Sequence, residues 1–202
     1  MSKSKFKEIT TPVGVAQWPY LNEPDTKFNA NGEYRCNLRL PREDADGLID
    51  EIKSVLERHH EELKKDQPNK KFRMAPLPFS DVEVDGEPTG EVEFKFKMKA
   101  VAGSGDRTFE QRPIMFDSQL KPTKAKVGGG TRLKVGAEVV PYNVPSIGVG
   151  VTLRLKTVQI IELVEYSGGA SADRWNFSKE DGFVEVSENT SESETSTDDH
   201  DW

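Results

Sequence analysis

An all-β chain closed into a small barrel, with one helix inserted after an early strand, is the fold this sequence predicts. Two observations carry that expectation. Apolar and polar residues alternate with period two in several segments, the signature of half-buried strands. One 25-residue stretch, 42–66, instead carries its apolar residues on a helical stripe. Five or six strands with a helix inserted among them suggest a Greek-key barrel of OB type, which closes its own edges at this size. Another small β-sandwich with a helix is the alternative on pattern alone.

The first strand read from the pattern is "YRCNLRL" (34–40), with Tyr34, Cys36, Leu38 and Leu40 on one face and Arg35, Asn37 and Arg39 on the other. The helix follows in "REDADGLIDEIKSVLERHHEELKKD" (42–66). Its stripe is Leu48, Ile49, Ile52, Val55, Leu56 and Leu63, with acids crowding the first turns and lysines the last, as the helix dipole favours. Gln67-Pro68-Asn69 ends it. In "EVEFKFKMK" (91–99) Val92, Phe94, Phe96 and Met98 point one way and every intervening residue is charged. "RTFEQRPIMFD" (107–117) reads as a less regular strand. "TRLKV" (131–135) and "VGVTLRLK" (149–156) alternate again, and "VQIIELVEY" (158–166) continues as an apolar strand end. Turns fall at Asp85-Gly86, Gly103-Ser104-Gly105, Gly128-Gly129-Gly130 and Gly168-Gly169. The expected domains are a barrel over 1–184 and a disordered acidic tail over 185–202.

Charge is unevenly spread. The net charge is −7 for 202 residues. Residues 185–202 hold seven acids (Glu185, Glu188, Glu192, Glu194, Asp198, Asp199, Asp201) and neither Lys nor Arg. The remaining 28 acids equal the 28 bases, so the folded part is neutral. Within it, residues 91–156 hold twelve bases against six acids. The outward strand positions gather these bases: Arg35 and Arg39, then Lys95, Lys97 and Lys99, then Arg132 and Lys134, then Arg154 and Lys156. A soluble sheet also carries lysines to block aggregation, but an ordinary surface mixes both signs, whereas here the acids are read as moved to the helix and the tail.

Trp18, Tyr20 and Tyr142 stand beside prolines in "QWPYL" and "VVPYNVP", read as irregular segments that leave the rings partly exposed. Basic strands flanked by such rings are what a groove for single-stranded nucleic acid requires. Cations follow the phosphates and bases stack on the aromatic faces. The chain ends on Trp202 after fifteen residues without an apolar side chain, where no core can receive it. It is read as an anchor for another protein, with the acids steering it to basic partners.

Other chemistry finds little support. No run is long and apolar enough to span a membrane, and the N-terminus lacks an apolar signal core. Cys36 is the single cysteine, which suits a reducing cytosol. His59 and His60 are adjacent on the helix, diverge, and are read as solvent-facing. "VGGGTRLK" lacks phosphate-loop spacing, so its glycines are read as letting the backbone turn or a polymer lie close. No cofactor and no metal are expected. A nuclease would need clustered carboxylates, and Glu91, Glu93, Asp106 and Asp117 show no such arrangement. An RNA-binding or RNA-chaperone barrel is the alternative binding class.

In order along the chain, "KFNANGEYRCNLRLP" (27–41), the acidic-to-basic helix, "FKFK" (94–97), "GGGTRLKV" (128–135), "VVPY" (139–142), "GVTLRLKTVQIIELVEY" (150–166), Gly168-Gly169, Trp175, "EDGFV" (180–184) and the aromatic-ended acidic tail resemble the single-stranded DNA-binding proteins of short-tailed lytic phages. Residues 67–90 and 100–127 match poorly, and the terminal residue is Trp where the best-known relative has Phe. The resemblance implies an OB fold and sequence-independent binding and annealing of single-stranded DNA. It implies work in phage replication and recombination in the cytoplasm of an infected bacterium. It further implies a tail that competes with DNA for the basic groove and contacts phage DNA polymerase and primase or helicase. By position, Tyr142 matches a family tyrosine implicated in DNA contact, and Asp198, Asp199, Asp201 and Trp202 match the partner-binding end. A homodimer is a further expected partner; a membrane is not.

Overall fold

Each alternating run does form a strand, and the strands close on themselves. The computed structural model describes residues 5–27, 29–105 and 107–166. Its elements are β1 (Lys7–Thr10), β2 (Gly14–Asp25), β3 (Glu33–Pro41), α1 (Arg42–Asp66), β4 (Phe79–Val84), β5 (Glu87–Lys99), β6 (Val101–Ser104), β7 (Arg107–Glu110), β8 (Ile114–Phe116), β9 (Arg132–Val144) and β10 (Gly148–Glu162). Pairing runs β9–β2–β3–β5–β10 and returns to β9. Every contact in that ring is antiparallel except β5 with β10, where Leu153 lies opposite Phe96 and Arg154 opposite Lys97. This is the Greek-key barrel of the OB fold. β1 extends it on β9, β4 on β5 and β8 on β10, while β6 and β7 pair with each other.

Alternation fills the barrel. Cys36, Leu38, Leu40, Val92, Phe94, Phe96, Leu133, Val135, Val139, Val149, Leu153 and Leu155 are all inside and essentially sealed from solvent. Phe94 and Phe96 stack with centroids 6.5 Å apart, and Phe79 packs on Phe94 at 5.5 Å. Truncating a ring such as Phe96 to Ala would cost about 3–5 kcal/mol. Helix α1 buries Ala45, Leu48, Ile49, Ile52 and Leu56 against this core, with Val55 and Leu63 partly buried beside them. It begins and ends where the sequence places it. Glu43 and Asp44 occupy its first turn, Lys64 and Lys65 its last, and the Gln67 amide donates to the Leu63 carbonyl to close it.

The clasp between β2 and β9 is short, and Thr11, between β1 and β2, reinforces it. Only Gly14–Leu133 and Val15–Arg132 pair directly. Buried Thr11 exchanges bonds with Val135, its amide donating to the Val135 carbonyl at 3.0 Å and its Oγ1 accepting the Val135 amide at 2.9 Å. Gly14 is required here, since a Cβ would lie 2.6 Å from the Arg39 carbonyl oxygen.

Several expectations are corrected. The segments 149–156 and 158–166 are largely one strand, β10, which ends at Glu162 and bulges between Leu155 and Thr157. Residues 107–117 are two strands, β7 and β8, separated at Gln111-Arg112-Pro113. Trp18, Tyr20 and Tyr142 stand on strands rather than in irregular segments. His59 and His60 are half-buried, not solvent-facing, with His60 edge-on to Phe72 at 6.1 Å. The glycines of 128–130 do let the chain turn, at 129–130, and Gly128 meets the chain itself: it donates to the Val164 carbonyl, and a Cβ there would sit 2.9 Å from that oxygen. The expected boundary at 184–185, the tail, and Asp198, Asp199, Asp201 and Trp202 lie outside the described residues.

Cys36 on β3 is wholly enclosed, and burial pushes its thiol pKa up to about 12, because a thiolate there would lose its hydration. A thiol reagent near neutral pH is therefore expected to leave the folded chain unmodified and to label one cysteine per chain in denaturant. Labelling of the native protein at the denatured rate would contradict this burial.

Candidate nucleic-acid interface

Barrel closure turns the outward halves of the alternating strands into one continuous face. A transverse row crosses it, one residue per strand. Tyr20 on β2 lies opposite Arg35 on β3, Arg35 opposite Lys97 on β5, Lys97 opposite Arg154 on β10, and Arg154 opposite Glu138 on β9. With strands about 4.8 Å apart, the row covers about 19 Å of surface. Beside it Gln17, Asn37 and Lys95 form a second row, and Val15, Arg39 and Glu93 a third. Lys99 stands opposite Glu33 at the other end of β5. Lys95, Lys97 and Lys99 are all exposed.

Outward bases thus gather as expected, but the expectation that acids have left this face is wrong. Asp25, Glu93 and Glu138 are set among the bases, each with a side chain only 10–17% exposed. Arg35 pairs with Asp25 at 2.7 Å, Arg39 with Glu93 at 3.0 Å, and Arg154 with Glu138 at 3.2 Å. Lys156 lies 3.9 Å from Glu138 as well. Glu93 also accepts a bond from the Asn37 amide at 2.9 Å. Further along β9, exposed Arg132 pairs with Glu162 at 2.6 Å, and Lys134 stands opposite Gln159. Lys95, Lys97, Lys99 and Lys134 enter no ion pair among the described residues. The arginines are held, and of the lysines on this face only Lys156 reaches an acid among the described residues.

Aromatic side chains stand at both edges of the face, Trp18 beside the row on β2 and Tyr142 four residues along β9 from Glu138. Trp18 is 73% exposed, the largest such exposure among the big apolar residues described. It occupies a bulge, since pairing of β2 with β3 shifts between Gln17 and Tyr20, and its backbone is left-handed at φ 48°. A left-handed bulky residue costs energy, and Trp18 gains no burial in return. Next to it, the Arg35 guanidinium lies over the Tyr20 ring at 4.7 Å. On the far side of the face Tyr142 stands opposite Gly150. A Cβ at residue 150 would fall 2.5 Å from the Tyr142 hydroxyl, so the missing side chain makes the seat for that ring.

Phe6 is the ring that sequence reasoning missed. The Arg154 guanidinium lies over it at 5.2 Å, covering the Arg154–Glu138 pair from the side of β1. An isolated Phe near the N-terminus carries no periodic signal to place it there. Asp25, Glu93 and Glu138 had such a signal in part, for Glu93 and Glu138 share outward parity with the bases of their own strands. Asp117 turns the chain, its Oδ1 accepting the Gln119 and Lys121 amides.

With this geometry in place, comparison with known proteins is informative. The single-stranded DNA-binding protein of Enterobacteria phage T3 is 28% identical to this chain, the alignment covering all of this chain and 94% of that one. The counterpart from Escherichia phage T7 is 27% identical across 88% of this chain and 85% of its own. Among solved structures, the crystal structure of gp2.5, a single-stranded DNA-binding protein encoded by bacteriophage T7, superposes with a TM-score of 0.69 at 28% identity, covering 90% of this chain and all of that one. The single-stranded DNA-binding protein from bacteriophage Enc34, in complex with ssDNA, shares the fold at TM-score 0.54 and 17% identity, over 80% of this chain and 89% of that one. The family model described as single-stranded DNA-binding protein, bacteriophage T7, matches residues 13–163, and this chain belongs to that family.

Proposed function

We propose that the chain is a non-enzymatic protein that binds single-stranded DNA without sequence preference, protecting and annealing strands during phage replication and recombination in the host cytoplasm. The observation that carries this reading is the row Tyr20–Arg35–Lys97–Arg154, with Trp18 beside it and Tyr142 further along the same face on β9. It lies across β3 and β5, the second and third strands of the barrel ring, where OB folds take oligonucleotides. Cations at strand spacing suit a phosphate backbone, and rings at the margins suit unpaired bases. Membership of a family described as single-stranded DNA-binding supports DNA as the polymer.

The acidic segment 185–202 supports a second part of the reading. Seven acids and a terminal Trp202 make a polyanion with one apolar anchor. In this reading the acids compete with DNA for the basic face, and Trp202, with Asp198, Asp199 and Asp201, recruits replication proteins such as the phage polymerase and primase or helicase.

Titration of labelled oligo-dT tests the first part. Binding should weaken with salt, and Lys95→Ala with Lys97→Ala should flatten the log–log slope by about 1.4, or about 0.7 for each phosphate no longer neutralised. An unchanged slope places the polymer elsewhere. If an RNA oligomer of the same sequence binds more tightly, the RNA-chaperone reading replaces this one.

Rings and backbone separate cleanly in Trp18→Gly. Glycine accepts the left-handed backbone, so the melting temperature should not fall, while affinity for oligo-dT should drop by about 1–3 kcal/mol. Tyr142→Ala should lose a similar amount. Retained affinity in both variants would remove the rings from the interface.

Deleting 185–202 should tighten DNA binding most at low ionic strength, where charge is least screened. Trp202→Ala should leave DNA affinity nearly unchanged and weaken polymerase binding by about 2 kcal/mol or more. Should Trp202→Ala tighten DNA binding as much as the deletion does, the ring rather than the charge is the competitor.

A further inference from the structure

The basic face carries its own anions, and they are not surface accidents. Asp25, Glu93 and Glu138 have side chains only 10%, 17% and 10% exposed, far less than the roughly half-exposed acids of the pairs Arg132–Glu162 and Lys7–Glu51. Each sits beside one arginine of the face and on a different strand of the barrel: β2, β5 and β9. Glu93 is held from two sides, by the Arg39 Nε at 3.0 Å and the Asn37 Nδ2 at 2.9 Å. Glu138 is held by Arg154 at 3.2 Å, with Lys156 at 3.9 Å. Asp25 is held by Arg35 at 2.7 Å, and Arg35 is further pinned over Tyr20.

A carboxylate is a smaller anion than a phosphate diester but offers an arginine the same thing, a pair of oxygens in the plane of its donors. A polymer phosphate arriving at Arg35, Arg39 or Arg154 therefore meets a guanidinium whose charge a protein carboxylate already answers in part. It can be accepted there only if a protein carboxylate is displaced or if two anions crowd one cation. Lys95, Lys97 and Lys99 stand between these pairs, exposed and in no ion pair among the described residues. They meet a phosphate at no such cost.

On the reading that this face binds single-stranded DNA, we propose that Asp25, Glu93 and Glu138 are built-in phosphate competitors that hold the affinity of the face below what its bases could give. The β5 lysines then carry the counterion release, and the arginines serve as prepaired donors whose charge is already answered by the protein. The biochemical role is a limit on residence time. A protein that must leave a strand so that a complementary strand can anneal gains from a face that recovers its own anions as DNA departs.

Salt titration of oligo-dT binding by the full chain tests this, with melting temperature checked for each variant. Glu93→Gln keeps the shape and the bond to Asn37 but frees Arg39. It should tighten binding about five- to tenfold at about 50 mM salt and steepen the salt slope by about 0.7, one further phosphate neutralised. The gain should vanish when Arg39→Gln is added, and Glu62→Gln on the exposed face of α1 should give little gain. Glu138→Gln and Asp25→Asn should act as Glu93→Gln does, so a folding defect in one variant leaves two others to read. If the parent binds and none of the three tightens, the carboxylates are structural partners and the proposal is wrong. It is equally wrong if Glu62→Gln gains as much, or if the gain of Glu93→Gln survives the loss of Arg39, because net charge alone then explains the effect. Failure of the parent chain to bind oligo-dT would instead bring down the single-stranded DNA reading, and this inference with it.

Discussion

Closure of the barrel through the parallel contact of β10 with β5 is the constraint on which the rest depends. It sets Leu153 against Phe96 on the inside and Arg154 against Lys97 on the outside. Once that register is fixed, the two-residue period admits no compromise. Away from the bulges of β2 and β10, alternate side chains enter the core and the others join the outer face. The bases become neighbours because the apolar residues between them must be. A slip of one residue in β5 would exchange Phe94 and Phe96 for Lys95 and Lys97, placing lysines where no hydration is available. Core packing and the positions of the bases are thus specified by the same set of alternations.

Much of this was legible in the sequence alone, and for a physical reason. α1 and the strands β3 and β5 declare themselves in long, uninterrupted periodicities whose signals are local to the chain. The outward bases could be named from parity alone. β2 was missed because Trp18 and Pro19 interrupt its alternation with a bulge, and a bulge is recognised from its partner strand. The unity of β10 was hidden in the same way by its irregularity between Leu155 and Thr157. The seat of Tyr142 over Gly150 needed the pairing of β9 with β10, since no pattern in either strand shows which residues end up opposite.

Charge was the least legible layer. Counting bases and acids over a window of sequence located the basic region but could not tell a free cation from an answered one. Arg39 and Glu93 are 54 residues apart in the chain, and Arg154 and Glu138 sixteen. Only strand register makes them partners. The distinction between held arginines and free lysines therefore belongs to tertiary structure, although every residue concerned was visible from the start.

The clasp of β2 on β9 has a consequence for how the chain reaches this state. It joins positions such as Thr11 and Val135, separated by 124 residues, through few hydrogen bonds. Chain entropy must be surrendered over that whole span before the clasp returns any enthalpy. High contact order of this kind makes for slow folding, with α1 and the β9–β10 hairpin free to form early and the β2–β9 seam closing after them. In the native state the same seam, with two directly paired residues on each strand, is the natural place for sub-global opening.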